Sequence, residues 1–183
     1  GDTIPSTADY TDFGNTLATG GLVTRTFTIS NSGNTNLNLT GTPNITLTTG
    51  THFSISVQPG ISAIGGGSTA TFQITFDPSA AGNFQDTVNI INNDADETPY
   101  TFAISGTGTV TVLSIGKSAQ AVPNISAVNY HSLITYTVII TNSGNGDADG
   151  LLLTDTLQNS SIDFARFVSP PTPDNAGESG DII

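Results

Sequence analysis

Hydrophobic and polar residues alternate along two stretches of the chain that are similar in sequence. Residues 22–34 read LVTRTFTISNSGN and residues 133–145 read LITYTVIITNSGN, so the two stretches align without a gap. A period of two predicts a half-buried β-strand, and the Asn-Ser-Gly-Asn that closes each stretch predicts a polar turn. The repetition indicates two tandem β-domains, each built around one of these strands.

Further alternating segments fill the first 108 residues and are separated by turns that contain Gly, Pro or Asn. Strands are predicted at residues 8–13, 22–30, 37–41, 45–47, 53–57, 70–76, 84–90 and 100–104, with 106–108 closing the domain. Short strands with a turn about every ten residues are typical of an immunoglobulin-like β-sandwich. We therefore predict an all-β chain of two tandem immunoglobulin-like sandwiches, at residues 1–108 and 109–183. Pro43 predicts a sheet edge or a switch of sheet.

One apolar face recurs along the predicted strands of the first domain. The residues expected to be buried together are Phe27, Ile29, Phe72, Ile74, Phe76, Val88, Ile90, Phe102 and Ile104. Arg25 interrupts this face. Because a buried unpaired cation is costly, we expect its stem to be packed and its guanidinium head to lie in water near a strand end.

The second predicted domain is short. About 70 residues remain after Val110, whereas a complete sandwich of this kind needs about 100, so its last strands are expected to be missing. Such a domain has an exposed sheet edge, which pairs with an available strand. Either the missing strands follow Ile183 in a longer protein, or a neighbouring copy donates a strand from residues 1–10 or from the tail after Pro173.

The charge of the chain excludes some classes of partner. The formal net charge is -12, with only three Lys and Arg residues against 15 acidic ones. Such a surface repels nucleic acid and anionic membranes. No apolar run approaches the length of a membrane-spanning helix, so no membrane insertion is expected. The absence of Cys removes thiol catalysis, thiolate metal sites and disulfides.

Candidate chemistry is sparse, and no enzymatic activity is predicted. The two histidines, His52 and His131, have no Ser and Asp at a spacing that suggests a catalytic triad, and both are interpreted as surface residues.

The acidic side chains form two clusters that could hold a cation. Asp94, Asp96 and Glu97 lie in one predicted loop, and Asp147 and Asp149 lie in another. Ca²⁺ prefers several hard oxygen ligands from a short segment, so each loop is either a solvated turn or a Ca²⁺ site. The loop with Asp94 and Asp96 is the better candidate, and no other cofactor is expected.

Several motifs carry a resemblance to known families. In the first domain they are TDFG at 11–14, RTFTI at 25–29, NSG at 31–33, TFQITFDP at 71–78, NNDADE at 92–97 and YTFAISGTG at 100–108. They make residues 7–108 similar to the Hydin-type immunoglobulin-like repeat of bacterial surface proteins, also called choice-of-anchor. The second domain contains LSIGKS at 113–118, ITYTV at 134–138, TNSGN at 141–145 and LTDTL at 153–157. It resembles the surface repeat known as domain of unknown function eleven.

Both resemblances imply non-enzymatic β-sandwich modules strung along large extracellular proteins. We therefore expect a structural or adhesive role at a prokaryotic cell surface or in an extracellular fibre, with other copies or neighbouring repeats as partners. The alternative is an accessory glycan- or Ca²⁺-binding module of a larger secreted enzyme. The absence of Trp and the scattered tyrosines argue against a glycan platform.

Overall fold

In the computed structural model, residues 1–122 and 133–155 are described, and their regular elements are all β-strands. The prediction of an all-β fold is therefore confirmed. The strands are β1 (Asp12–Leu17), β2 (Val23–Ser30), β3 (Leu37–Asn38), β4 (Ile45–Leu47), β5 (Phe53–Val57), β6 (Ala63–Ile64), β7 (Thr69–Phe76), β8 (Gly82–Ile90), β9 (Tyr100–Thr109), β10 (Leu113–Val122) and β11 (Leu133–Asn142). None of the described residues belongs to a helix long and apolar enough to cross a membrane.

The first nine strands form a β-sandwich. One sheet has the order β1-β9-β8-β4, and the opposing sheet has the order β2-β7-β5. The pair β1–β9 is parallel and the other pairs in these sheets are antiparallel. The apolar faces meet between the sheets, where the rings of Phe27 and Phe102 lie 5.5 Å apart and those of Phe13 and Phe53 lie 5.4 Å apart.

The predicted core is largely confirmed. Seven of its residues are buried: Phe72, Ile74, Phe76, Val88, Ile90, Phe102 and Ile104. Phe27 and Ile29 pack against this core but remain half-buried, because β2 is an edge strand of its sheet. The core also includes residues that were not in the predicted set, namely Phe13, Leu39, Ile45, Phe53 and Ile64.

The first strand begins later than predicted. Residues 8–10 form a turn, and β1 starts at Asp12. The carboxylate of Asp9 accepts hydrogen bonds from the Thr11 N–H at 3.0 Å and from its hydroxyl at 2.6 Å, and Tyr10 has a φ of 67°. A short polar side chain that bonds two residues ahead favours a turn over an extended strand.

The last strand of the sandwich continues past its predicted end. Gly106 and Gly108 lie inside β9 rather than closing the domain. A Cβ at Gly106 would lie 2.6 Å from the Phe76 ring, and one at Gly108 would lie 2.2 Å from the carbonyl oxygen of Ala80. These glycines permit a close approach of β9 to its neighbours, which is a common reason for Gly within a strand.

The chain changes sheet around Pro43, as predicted. The strand β3 pairs with β6 in a separate two-stranded sheet, whereas β4 pairs with β8 in the four-stranded sheet. Regular pairing of β3 stops at Asn38, earlier than the predicted end at residue 41, and Leu39 forms an isolated bridge with Asn92.

After the sandwich, β10 and β11 form an antiparallel hairpin of ten residues per strand, with Leu113 opposite Asn142. The hairpin belongs to the compact unit Gly1–Asp147. Of the other unit, Ala148–Ile183, residues 148–155 are described and contain no regular element. The predicted boundary at 108 and 109 and the predicted second sandwich stay predictions, since residues 123–132 and 156–183 lie outside the described ranges.

Candidate functional site

The loop between β8 and β9 is organised by the buried side chain of Asn92. Its Oδ1 accepts a hydrogen bond from the Asp94 N–H at 2.7 Å, and its Nδ2 donates to the carbonyl oxygens of Ile90 at 3.2 Å and Glu97 at 3.1 Å. The amide therefore holds both ends of the acidic segment 94–97. We refer to this segment as the acidic loop.

Two carboxyl groups of the acidic loop interact directly. A hydrogen bond with the Asp96 side chain raises the pKa of Asp94, and desolvation and the nearby charges of Asp96 and Glu97 act in the same direction. A bound cation would relieve this repulsion. In the described ranges, no group of three or more His, Asp or Glu side chains is placed to hold a metal ion. A Ca²⁺ site at Asp94, Asp96 and Glu97 would need backbone carbonyls or water, and it stays a prediction.

The second predicted acidic pair is also exposed. The carbonyl oxygen of Asp147 accepts a hydrogen bond from the Thr111 hydroxyl at 2.6 Å, and the Asp147 and Asp149 side chains face solvent. The bond to Thr111 gives Asp147 a structural role in the turn that follows β11.

His52 is used in packing. It lies just before β5 and is half-buried rather than fully exposed. Its ring lies 3.7 Å from that of Phe84, and its Nδ1 accepts a long hydrogen bond of 3.5 Å from the Ser79 N–H. The other predicted surface histidine, His131, lies outside the described residues.

The acidic loop forms one wall of a groove of about 740 Å³ between β2 and β9. Phenylalanine rings form its floor, and a tyrosine ring extends it. The ring of Phe27 lies 5.6 Å from Phe72 and 5.5 Å from Phe102, and Tyr100 continues the row at 6.3 Å from Phe102. The groove is therefore an opening onto the edge of the hydrophobic core. We call it the β2–β9 groove.

Among the polar groups around the β2–β9 groove, which include Ser and Thr hydroxyls, two classes bear most on its ligand, the amides and the carboxylates. The amides of Asn31 and Asn93 are engaged in hydrogen bonds within the chain, Asn31 with Gly33, Thr35 and Ile64, and Asn93 with Asn36 and Asn38.

The carboxylates are the second class and form an acidic rim of the groove, consisting of Asp2, Asp9, Asp94 and Glu97. All four side chains are exposed. Hydrogen bonds from the side chain and backbone of Thr11 lower the pKa of Asp9 to about 2. Asp9 is therefore ionised at neutral pH and contributes a negative charge to the rim.

Arg25 does not extend its whole guanidinium into water, contrary to the prediction. Its Nη1 is buried and has no hydrogen-bond partner among the described residues. Its Cζ lies 5.3 Å from the ring centre of Tyr10 and 5.2 Å from that of Phe13. The positive charge is thus held against two aromatic rings, an arrangement that partly offsets the missing hydrogen bond.

The hairpin β10–β11 presents apolar side chains to solvent. The exposed fractions are 44% for Leu113, 63% for Ile115, 43% for Tyr136 and 43% for Ile140. The pairing register places Ile115 opposite Ile140 and Ala119 opposite Tyr136. Since alternate residues share a face, one face of the hairpin is an apolar surface. Lys117 lies on that face, with its Nζ 4.7 Å from the ring centre of Tyr136.

With the geometry of the sandwich known, a family comparison identifies its type. The HYDIN/CFA65/VesB-like, Ig-like domain family matches residues 4–107, more than half of the chain. The chain belongs to this family. The resemblance of residues 7–108 is therefore confirmed, whereas that of the second domain to domain of unknown function eleven stays a prediction.

The Ig-like domain is distantly similar to solved structures. The VesB protease of Vibrio cholerae is 20% identical with a TM-score of 0.42, and the match covers 52% of this chain and 29% of that one. For the secreted serine protease VesC of Vibrio cholerae, the identity is 12%, the TM-score is 0.43, and the coverage is 55% and 22%. SSP-19, an MSP-domain protein like family member in Caenorhabditis elegans, is 18% identical with a TM-score of 0.36, and the match covers 56% of this chain and 97% of that one.

The chain thus aligns with less than a third of the length of either Vibrio protease. A search of curated proteins found no match. The β2–β9 groove and Arg25 lie within the matched Ig-like domain, and the hairpin follows it.

Proposed function

We propose that this chain is a non-enzymatic structural module of a prokaryotic surface protein or extracellular fibre. The hairpin β10–β11 is the place where it joins a neighbouring copy or a neighbouring repeat by pairing of strands. The observation that carries this proposal is the exposed apolar face of a two-stranded hairpin.

A two-stranded hairpin is marginally stable on its own in water and becomes stable when further strands or a packed face are added. In the described part of the chain, β10 and β11 pair only with each other. Among residues 1–122 and 133–155, each of these strands therefore has one edge without a pairing partner, and the exposed side chains of Ile115 and Ile140 lie opposite each other on the apolar face. An added strand would supply main-chain hydrogen bonds at an edge and bring side chains that cover the face.

The attachment of the hairpin to the sandwich supports a mechanical role. The Val110 N–H donates to Oδ1 of Asn145 at 2.8 Å, and the Gly146 N–H donates to the carbonyl oxygen of Val110 at 2.9 Å. The Ser143 N–H donates to the carbonyl oxygen of Val112 at 2.8 Å. The turn after β11 is thus bonded to the segment between β9 and β10, which limits bending at this point, as a spacer requires.

The contacts of His52 within the fold support a non-enzymatic module. His52 lies in the Ig-like domain. Its ring contacts Phe84, and its Nδ1 accepts a hydrogen bond from the Ser79 N–H. The extracellular setting rests on the resemblance of residues 7–108 to repeats of bacterial surface proteins.

Size-exclusion chromatography with light scattering and electron microscopy of the 183-residue chain tests the proposal. If copies donate strands, the chain forms filaments or large oligomers that persist in mild denaturant. The double substitution Ile115→Asp and Ile140→Asp places two charges on the apolar face and should return the chain to a monomer. Leu22→Asp is the control, because Leu22 is also exposed, at 61%, but lies outside the hairpin.

Two further observations separate the possible donors. Shortening the chain after Pro173 should abolish assembly if the tail is the donor. Residues 1–10 are the other donor, and their release would break the bond from the Ala103 N–H to the carbonyl oxygen of Asp2, which is 2.9 Å long. If the unsubstituted chain is a monomer, and neither the hairpin substitutions nor the shortened tail changes that state, strand donation between copies is contradicted. The partners would then be neighbouring repeats.

The second candidate function is a Ca²⁺-binding accessory module of a larger secreted protein. The observation that favours it is the close pair of carboxyl groups of Asp94 and Asp96, whose mutual repulsion a cation would relieve. The sequence of the full-length gene distinguishes the two functions. A catalytic domain beside the Ig-like domain would favour the accessory module, and further repeats would favour the structural one.

A further inference from the structure

The β2–β9 groove exists because the sandwich is open along one side. The strand β2 is at the edge of its sheet, and β1 pairs with β9 only from Ser105 to Thr109. Beside the first residues of β9 lies the leading segment of the chain, which is joined there by the hydrogen bond from the Ala103 N–H to the Asp2 carbonyl oxygen. The groove separates this segment from the edge of β2, which pairs with no strand in the described part of the chain.

The part of β2 that borders the groove lacks the usual protection of an edge strand. Residues 27–30 contain no charged residue and no Pro, and the only charge on β2 is Arg25, whose Nη1 is buried near Tyr10 and Phe13. Edge strands without Lys, Pro or a bulge accept another strand readily. The four residues 27–30 would pair with a strand about 13 Å long, at about 3.3 Å per residue.

The floor of the groove favours apolar side chains on such a strand. Phe27 and Ile29 belong to the apolar face of β2, yet both remain half-buried while their neighbours in the core are covered. Every second side chain of an added strand would point to this floor and remove Phe27 and Ile29 from water.

The acidic rim of the groove favours a ligand that carries positive charge. Asp2, Asp9, Asp94 and Glu97 line it, and none of the described Lys, Arg or His residues does. A hydrogen bond with Asp96, desolvation and the nearby charges of Asp96 and Glu97 raise the pKa of Asp94, and a neighbouring cation would offset the contribution of these charges. A second copy of this chain is a poor source of such charge, because its net charge is -12.

Three amide groups of the groove are already engaged and are therefore not offered to a sugar. Sugar hydroxyls need free donors and acceptors, but the side-chain amides of Asn31, Asn92 and Asn93 are bonded within the chain. The groups left for a ligand are carboxylates, apolar side chains, the edge of β2, the Asn36 side chain and hydroxyls such as those of Thr28 and Ser30.

We propose that the β2–β9 groove binds an extended peptide segment of a partner protein, which pairs with the free edge of β2. Apolar side chains of this segment face Phe27, Phe72 and Phe102, and its Lys or Arg side chains lie against the acidic rim. The site is independent of the hairpin, so its occupation does not rest on strand donation at β10–β11.

The test uses a synthetic peptide, Lys-Val-Lys-Val-Lys-Val, acetylated and amidated to remove terminal charges, with the 183-residue chain carrying Ile115→Asp and Ile140→Asp to prevent use of the hairpin. Titration is followed by ¹H–¹⁵N NMR and by calorimetry at low salt. The largest shifts are expected at residues 26–30 and in the acidic loop. The peptide Glu-Val-Glu-Val-Glu-Val is expected not to bind, and higher salt should weaken the binding of the Lys peptide.

Matched charge variants test the rim. Asp94→Asn with Glu97→Gln is expected to weaken binding of the Lys peptide about threefold to tenfold, in the range of exposed ion pairs. Asp77→Asn with Asp149→Asn removes two exposed charges elsewhere and should leave the affinity unchanged. All four side chains are exposed, so the variants should fold, which their melting temperatures verify.

Several results would overturn the proposal. They are the absence of binding at millimolar peptide, equal binding of the Glu peptide, equal loss in the two double variants, and shifts confined to residues outside the groove. Shifts in the groove with neutral oligosaccharides but not with the Lys peptide would identify a sugar site instead. The result is separate from the filament test, since the protein used here has a blocked hairpin.

Discussion

Asn31 and Asn142 make the same two side-chain hydrogen bonds in the two copies of the repeated turn. Oδ1 of each accepts from the backbone N–H two residues ahead, Gly33 and Gly144, at 3.0 Å in both cases. Nδ2 of each donates to the carbonyl oxygen four residues ahead, that of Thr35 at 2.7 Å and that of Gly146 at 2.8 Å. The repeated sequence therefore encodes a repeated turn geometry, and not only a similar composition.

The two asparagines should nevertheless differ in their effect on stability. Asn31 also donates to the carbonyl oxygen of Ile64 at 2.8 Å, which ties the turn to β6. Asn31→Asp removes both donated bonds and should lower the free energy of unfolding by about 1–3 kcal/mol. Asn142→Asp lies beyond residues 4–107 and should leave the melting of the Ig-like domain almost unchanged. Equal losses in urea unfolding would show that Asn142 stabilises the Ig-like domain as much as Asn31 does.

Asp86 joins β8 to the segment after β4 through a buried carboxylate. Oδ1 accepts from the N–H groups of Thr48 and Thr49 at 3.1 Å and of Thr87 at 2.7 Å, and Oδ2 accepts from Gly50 N at 2.8 Å and from the Thr49 hydroxyl at 2.7 Å. Asp86→Asn places an amide donor among these donors and should destabilise the sandwich by about 1–3 kcal/mol. Chemical denaturation measures this difference, with Asp77→Asn as the exposed control.

The same carboxylate makes stability depend on pH. Burial acts to raise the pKa of Asp86, but the hydrogen bonds from Gly50, Thr49 and Thr87 outweigh it, so the pKa is lowered. Its contribution is therefore complete above the unfolded pKa of about 3.9 and is lost as the pH falls through the lower folded value. Melting temperatures measured from pH 6 down to pH 2 should show this loss, and Asp86→Asn should reduce its slope. An unchanged slope would assign the acid sensitivity to other groups.

The aromatic core predicts a large effect for one truncation. Phe72 is 2% exposed and stacks on Phe27. Phe72→Ala should cost about 3–5 kcal/mol, because it removes apolar burial and leaves a cavity. Ile115→Ala, at a residue that is 63% exposed, should change stability much less. A loss below about 1 kcal/mol for Phe72→Ala in a denaturant melt would contradict its central place in the core.

Replacing Arg25 by Met is expected to have a small net effect on the free energy of unfolding. Arg25→Met keeps a long apolar stem, removes the unsatisfied Nη1 and loses the contacts with Tyr10 and Phe13. A buried donor without a partner costs about 1–3 kcal/mol, and a cation–π contact contributes about 0.5–2 kcal/mol, so the two effects nearly cancel. We expect the free energy of unfolding to change by less than about 1 kcal/mol, whereas Arg25→Ala also loses the packing of the stem. A large loss in Arg25→Met would show that the cation–π contacts dominate.

The acidic loop predicts an effect of metal removal. If Asp94, Asp96 and Glu97 bind Ca²⁺, the melting temperature in EDTA should be lower than in saturating Ca²⁺, since a ligand bound only by the native state stabilises it. Asp94→Asn with Asp96→Asn should abolish the difference. Equal melting temperatures in the two buffers would assign the loop to a solvated turn organised by Asn92.

Much of the fold could be predicted from local patterns. The alternation at 22–30 and 133–142 predicted β2 and β11, because side chains of a strand point alternately to its two faces. The two Asn-Ser-Gly-Asn turns followed from the ability of Asn to bond its own backbone. The acidic loop was likewise a local feature, visible as three acidic residues within four positions.

Other features depended on which strands become neighbours. The groove requires residues 27–30 and 100–102 to lie across an open edge, and their separation of about 70 positions leaves no trace in a short window of sequence. The partners of Arg25 are Tyr10 and Phe13 because β1 joins β9, and a turn at residues 8–10 replaced the predicted strand. Gly106 and Gly108 were predicted to close the domain. They instead lie inside β9, where close contact with Phe76 and Ala80 leaves no room for a larger side chain. Sequence by itself determined the strands and turns, which depend on near neighbours, and only the tertiary structure decided edges, burial and the groove, which depend on residues far apart in the chain.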